Sequence, residues 1–434
     1  MATLAELESS LNASRNSAAQ IAGELESLGL SCATLAEGMH AAIVLKEHGM
    51  LDQAGVVFQR LQAVWPDNES LAYEHIQFLR RAKQEDAADE MLVGLVQQGM
   101  RGDNIWRECV LRALVDPVME ASRSRLLRAL LLAVSRSASP YNLALVNYLA
   151  SINSASVVNT LQQSDFQSLQ TTHEQCLRAI RAGAPFCLLR LGDGEGAFLH
   201  PPGRSADQEA LFLAHRQFFV SRWYDDSALA IDPGFLAAAV EVQSRLSEAD
   251  IIGIPRPKWI QHEMTMRNLR SLVNCLQLAR LVENLGLGPS GRLSTTTVAV
   301  DLEFRGLVSE MLREAGSISL ITSHSSLGER LEATGRAQVR QTIPIPPAGS
   351  DRGQTGYVLQ SSHFRDAFGA VNRAIDDTIG SGDLVLVAAG FLGKLYALRV
   401  KQRGGIALDI GSLADLWMGH MTRPGFHRVP SMRL

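Results

Sequence analysis

A chain of 434 residues, 46% hydrophobic and 20% charged, is too long for one ordinary core and has the balance of a soluble globular protein of two or three domains. Its formal net charge of −4 gives no basis for non-specific binding to nucleic acid. Only five of the 41 basic residues are Lys, a bias that genome composition explains as readily as phosphate recognition.

Residues 1–34 read as an N-terminal helical segment, with Leu4, Leu7, Leu11, Ile21, Leu25 and Leu28 at helical spacing before Gly29. The start is acidic and amphipathic, without the basic and apolar regions of a leader peptide. No apolar run approaches the roughly 18 residues of a membrane span. The five cysteines, Cys32, Cys109, Cys176, Cys187 and Cys275, lack metal-ligand spacing and read as small buried residues in a reducing compartment. A cytoplasmic protein without a transmembrane segment is expected.

Residues 35–150 resemble a tetratricopeptide-like helical repeat domain. Gly49, Ala54, Phe58 and Pro66 match the small, aromatic and terminating positions of such a unit. A step of about 34 residues carries Ala54 to Ala88 and Phe58 to Leu92, which fit, and Pro66 to Met100, which does not. A third unit around Ala121 and Leu126 is degenerate, and the helical pattern continues through 141–149. The resemblance implies a concave surface for a protein or peptide; the alternative is a generic helical bundle. Residues 151–168, rich in Ser, Asn and Gln, read as a linker.

From residue 169 to 434 the pattern becomes α/β, with apolar strands alternating with helices in the manner of a mainly parallel, Rossmann-like sheet. Six strands are predicted, at 186–190, 250–254, 317–322, 338–343, 384–388 and 406–410. Helices are predicted at 174–182, 236–246 and 300–312, and another begins near Lys394. The segment 344–357 is long, polar and glycine-bearing, as a mobile lid would be.

In such sheets ligands bind beyond the carboxyl ends of the strands, and the residues that follow each strand are the candidates for chemistry. After the first strand comes Arg190-Leu191-Gly192-Asp193-Gly194-Glu195. Alternation would place Asp193 and Glu195 on one side of the backbone, where two carboxylates can share a Mn²⁺ or Mg²⁺ ion with a phosphate. Gly192 and Gly194 would allow a tight turn and close approach, and Arg190 would contact phosphate or brace the carboxylates. An acidic turn closed by an Arg–Asp pair is the competing reading.

After the second strand, Arg256 and Lys258 offer two cations beside Trp259, and His262 and Glu263 follow. Ser294 and Thr295 open a hydroxyl run that would cap the helix at 300–312 or bind an anion at its start. Ser323 and His324 stand in the same relation to the next helix. Gly390 and Lys394 lie in a run that resembles a phosphate loop without its full spacing, since Leu395 stands where Ser or Thr would be. Asp409 ends the last strand as a hydroxyl acceptor or a simple strand-end acid, and Asp415 is a weaker candidate for a base.

The run Arg190 to Glu195, together with 382–390, the helix carrying Lys394 to Leu398, and 404–411, is similar to the opening and closing motifs of GT-D glycosyltransferases. The resemblance covers the chain from Phe166 onward, densest at its two ends. It implies transfer of a sugar from a nucleotide diphosphate sugar, a UDP-sugar by default, with Asp193 and Glu195 as metal and catalytic carboxylates, and with a protein or glycan acceptor; an oligomer is compatible with it. One departure stands out. Ser412 occupies the place where such proteins follow Asp-Ile-Gly with His, so no role of that His carries over. Two other classes share these features: a metal-dependent hydrolase or phosphoryl-transfer enzyme acting on nucleotide sugars, and a catalytically silent adaptor built on the repeats.

Overall fold

The computed structural model describes residues 18–100, 102–115, 140–152, 154–199, 205–266, 268–288, 290–347 and 362–420. The chain forms two compact units that divide between Val146 and Asn147. Leu4, Leu7 and Leu11, the degenerate unit at Ala121 and Leu126, and most of the segment 344–357 lie outside the described residues.

The first unit is helical. Helices α1 (Ala18–Ser31), α2 (Leu35–Glu47), α3 (Leu51–Val64), α4 (Glu69–Arg81), α5 (Glu85–Gln97) and α6 (Asp103–Val110) follow one another with short turns. Thr34 and Glu37 close a capping box on α2, and the Asn68 side chain caps α4. The turns use left-handed residues at Gly49, Lys83 and Gly99. Helix starts at Leu35, Glu69 and Asp103 are 34 residues apart, as are those at Leu51 and Glu85. Ala54, Phe58, Ala88 and Leu92 are fully buried, which is what close helix contact at small and apolar positions requires. Beneath α5 and α6, Asp89 accepts two hydrogen bonds from Arg112 at 3.0 and 2.8 Å, and Arg80 pairs with Glu108 at 2.8 Å.

Helix α7 (Pro140–Ser151) leads into the second unit. The segment expected as a linker contains α8 (Ser154–Gln163). Val157 and Leu161, four residues apart on one face, are buried and hold it against the layer below.

The second unit is a seven-stranded sheet in the order β3-β2-β1-β7-β6-β4-β5, parallel throughout. Its strands are β1 (Phe186–Arg190), β2 (Ile251–Ile254), β3 (Leu293–Thr295), β4 (Ser317–Thr322), β5 (Gln338–Pro344), β6 (Leu384–Ala388) and β7 (Ile406–Asp409). The central strands are buried along almost their whole length, because helices cover both faces. On one face Phe186, Leu188, Leu384, Leu386, Ile406 and Leu408 join a core with α9 (Leu169–Ala182) and Trp417. On the other, α18 (Gly393–Gln402) lies across β1, β6 and β7; chain-order numbering here gives α10 to Ala206–Tyr224, α11 to Pro233–Arg245, α12 to Pro257–Thr265, α13 to Leu269–Asn284, α14 to Val298–Phe304, α15 to Leu307–Ala315, α16 to Leu327–Ala333 and α17 to Phe368–Thr378. A last short helix, α19 (Leu413–Trp417), follows β7.

Two sequence expectations change. The hydroxyl run at 294–297 is divided: Ser294 and Thr295 belong to the short edge strand β3, and Thr297 is the N-cap residue of α14, without a side-chain capping hydrogen bond. The single helix expected at 300–312 is two helices, broken where Gly306 adopts φ +71°. The topology also marks where the connections diverge. The chain leaves β1 toward β2 on one side and leaves β4 toward β5 on the other, so the strand ends of β7 and β6 lie between diverging connections.

Candidate active site

Helix α9 ends at Gly183 with φ +57°, and Ala184-Pro185 turn the chain directly into β1. Strand β1 then delivers Arg190 to the carboxyl edge. Gly253 is its partner in β2, and a Cβ there would lie 2.6 Å from the Thr295 carbonyl oxygen and 3.4 Å from Arg190 Cγ. The bare glycine lets the arginine cross its neighbour strand. Arg190 Nε donates to the Thr296 carbonyl at 2.6 Å and Nη1 to the Ile410 carbonyl at 2.7 Å. Arg190 thus ties the ends of β1, β3 and β7 together through backbone oxygens.

Beyond Leu191 the chain is not extended. Asp193 and Gly194 lie in a turn, and Glu195 begins a 3₁₀ turn through Ala197, so strand alternation does not relate the two acids. Gly194 has an ordinary helical φ of −64°; it is required to be small, because a Cβ would sit 2.3 Å from the Trp223 ring. Gly196 is tighter still, at 2.2 Å from the Asn274 carbonyl oxygen. Gly192 leaves its Cβ position 3.2 Å from Glu195 Oε2, the oxygen that accepts the Gly192 amide at 2.8 Å.

Glu195 faces inward and is 8% exposed. Its Oε1 lies 3.2 Å from Lys394 Nζ, which is 2.6 Å from Asp409 Oδ2. Asp409 Oδ2 also accepts the Arg190 amide at 3.1 Å. Burial raises the Glu195 carboxyl, but the Lys394 ammonium and the Gly192 amide outweigh it and hold the group below the usual carboxylate value. Burial likewise lowers Lys394, and the two acids on either side outweigh that and raise it. Lys394 and Asp409 are 4% and 3% exposed. Both are enclosed with Glu195 in one buried chain of charges, an arrangement that suits the strand-end-acid reading of Asp409.

Asp193 remains half-buried in the turn. Glu263, from α12 after β2, is buried in its field: burial first, and then the Asp193 charge, raise the Glu263 carboxyl. Sequence reasoning named Glu263 after the second strand but gave it no role. Tyr224 closes the other side, accepting the Leu392 amide at 3.4 Å, and burial pushes its phenol up, with a smaller contribution from Glu195.

The other candidates divide. Arg256 packs on Phe166, 5.3 Å from the ring centre, and donates to the Gln167 carbonyl at 3.3 Å. Lys258, Trp259 and His262 are exposed on α12. Ser294 is fully enclosed in β3, and Thr295 Oγ1 is 2.9 Å from Thr297 Oγ1, which donates to Asp301 at 2.6 Å. The Thr295 and Thr297 hydroxyls fasten the start of α14, while the buried Ser294 hydroxyl has no hydrogen-bond partner among the described residues. Gly390 is exposed with φ +56°, and nothing lies within 4 Å of the position a Cβ would take, so the turn after β6 is open to a ligand. Ser323 is half-buried after β4, and His324 beside it is 3% exposed with Nε2 2.8 Å from Asp415 Oδ1.

A family model described as a GT-D fold-like domain matches residues 167–417, more than half of the chain. The chain belongs to the GT-D-like family. Comparison with curated proteins and with solved structures gave no match. The GT-D-like domain begins at Gln167, just before α9, and ends at Trp417, so it contains every strand of the sheet and every candidate named above. Among the described residues no helix is long and apolar enough to cross a membrane.

In the motif of this GT-D-like domain, Asp193 is half-buried in its turn, whereas Glu195 is buried and already engaged by Lys394 and the Gly192 amide. Both Glu195 oxygens are occupied, Oε1 by the Lys394 ammonium that it shares with Asp409 and Oε2 by the Gly192 amide. Asp193 and Glu263, by contrast, repel one another, a situation that a cation relieves. Among the described residues no group of three or more His, Cys, Asp or Glu side chains is disposed to hold an ion unaided, so an ion here would take further oxygens from a substrate.

Proposed function

We propose that this protein transfers a sugar from a nucleoside diphosphate sugar to an acceptor hydroxyl. The observation that carries the reading is the family match across the whole parallel sheet, at whose carboxyl edge the Arg190–Glu195 motif follows β1 and the open Gly390 turn follows β6, with β7 between them. The crevice over β7 and β6 is the natural seat for the donor. The Gly390 turn would lie against the diphosphate, and Asp193 would hold the Mn²⁺ or Mg²⁺ that accompanies it. Such an ion neutralises charge on the departing diphosphate.

The chain's own residues do the remaining work. Arg190 fixes the ends of β1, β3 and β7. The buried Glu195–Lys394–Asp409 charges fix the turn that presents Asp193. Exposed Lys258 and Trp259 on α12 would meet an anionic or sugar portion of a substrate.

The acceptor is proposed to be a protein, or a glycan carried by one. The 34-residue spacing of helix starts in the first unit supports a tetratricopeptide-like reading, and repeat surfaces of that type grip polypeptide. A UDP-sugar is the donor to try first. The test is nucleotide release from UDP-, GDP- and dTDP-sugars with Mn²⁺, comparing the full chain with Asp193→Ala. Release by the wild type, reduced at least about 100-fold in the variant, supports the reading. Equal rates in both proteins would contradict it.

A further inference from the structure

The crevice has a second flank that the motif does not supply. Four adjacent strand ends, β1, β7, β6 and β4, border it in that order. The segment 410–420 runs along them: Ile410 receives Arg190 at the end of β1, and Asp415 and His420 meet His324 at the end of β4. Its helix α19 is firmly seated. Leu413, Ala414, Leu416 and Trp417 are buried, and Trp417 Nε1 donates to Glu303 at 3.0 Å while Arg336 covers its ring at 5.1 Å. Asp415 is the residue of that helix left facing outward, with its side chain 23% exposed.

His324 is held from three directions. Its amide donates to Thr322 Oγ1 at 3.1 Å, its ring stacks on His420 at 5.4 Å between centroids, and Nε2 meets Asp415 Oδ1 at 2.8 Å. A carboxylate at that distance fixes the proton on Nε2 and leaves the Nδ1 lone pair for other use. Nδ1 has no hydrogen-bond partner among the described residues, although buried polar atoms are ordinarily satisfied. An imidazole oriented by an acid through one nitrogen, with the other nitrogen unused at a strand's carboxyl end, is the arrangement of a general base.

We propose that His324 is the general base of the transfer and that Asp415 is its positioning residue. The inference rests on the glycosyl-transfer reading above. The acceptor oxygen forms a bond to the anomeric carbon of the donor sugar. The bond from that carbon to the diphosphate oxygen breaks, and its electron pair leaves with the nucleoside diphosphate. The acceptor's proton passes to Nδ1, and Asp415 stabilises the resulting imidazolium through the Nε2 hydrogen. Solvent then removes the proton. Because Nδ1 is enclosed, the acceptor reaches it only when neighbouring atoms shift.

The experiment uses the full chain, with UDP-, GDP- and dTDP-sugars as donors and water as the acceptor, read as nucleotide release. His324→Gln keeps an N–H for Asp415 but has no basic nitrogen. It should lower kcat by about 100- to 10,000-fold while the Kd for the released nucleotide, measured by calorimetry, stays within about twofold, which also shows the variant to be folded. Asp415→Asn should lower kcat less, and the double variant should be no slower than His324→Gln alone, since the pair acts as a unit. Wild-type kcat in a nucleotide-binding His324→Gln protein overturns the proposal, as does a multiplicative loss in the double variant. A wild-type chain that releases no nucleotide from any donor overturns the glycosyl-transfer reading, and this proposal falls with it.

Discussion

Lys394 stands between two buried carboxylates, and each of the three charges is tolerated only because of the others. Lys394→Met would leave Glu195 and Asp409 facing one another without a cation, and removing one partner from a buried pair costs about 3–5 kcal/mol. Urea denaturation should show a loss of that size; a loss below about 1 kcal/mol would mean the charges are better solvated than their burial indicates. The glycines of the motif make a separate prediction. Gly196→Ala places a methyl group 2.2 Å from a backbone oxygen of α13, where no flexible side chain can yield. It should cost about 1–3 kcal/mol, measurable in the same experiment, whereas Gly390→Ala meets no neighbour and pays only for its left-handed backbone.

Among the elements, α10 and the approach to α17 each carry a histidine kept neutral by burial. His215 is held down to about 4, and its Nδ1 is 2.8 Å from Asn274 Oδ1; His363 is held down to about 3, beside the Tyr396 hydroxyl at 3.0 Å. In both, the unfolded chain takes up a proton near 6.5 that the folded chain refuses. The unfolded state therefore binds more protons below that pH, and stability falls as the pH falls. Between pH 6.5 and 5, before most carboxylates titrate, the two histidines together should remove up to about 2.7 kcal/mol per pH unit at the steepest. Urea midpoints across that range check this, and a flat profile would contradict it.

The elements also show what could be read from sequence. The six predicted strands are present because each is a compact apolar run between turn residues, and buried parallel strands need nothing more. β3 was missed because three residues, two of them hydroxylated, carry the pattern of a helix cap; only pairing with β2 makes Leu293–Thr295 a strand. Helix α8 was missed because polar residues dilute the face on which Val157 and Leu161 are buried. At the site, the positions after the strands were legible, but the direction of each side chain was not. Glu195 turns inward because the chain curls into a 3₁₀ turn, and the His324–Asp415 pair joins residues 91 apart in sequence.

At the scale of the whole molecule, the GT-D-like domain contains the entire candidate site, and the helical unit contains none of the residues proposed for donor chemistry. The two units should therefore separate by function. A chain lacking the helices before Val146 should still bind nucleotide but lose transfer to its physiological acceptor, and equal loss of both would remove the docking role.

The central claim is a nucleoside diphosphate site in the crevice over β7 and β6, and calorimetric titration tests it most directly. Full-length protein is titrated with UDP, GDP, dTDP and CMP, each with and without Mn²⁺, alongside Asp193→Ala. The account predicts that one diphosphate binds with about tenfold or more dependence on the metal, a difference of about 1.4 kcal/mol, and that Asp193→Ala abolishes that dependence. Failure of all four nucleotides to bind, or identical metal-dependent binding in Asp193→Ala, would contradict it.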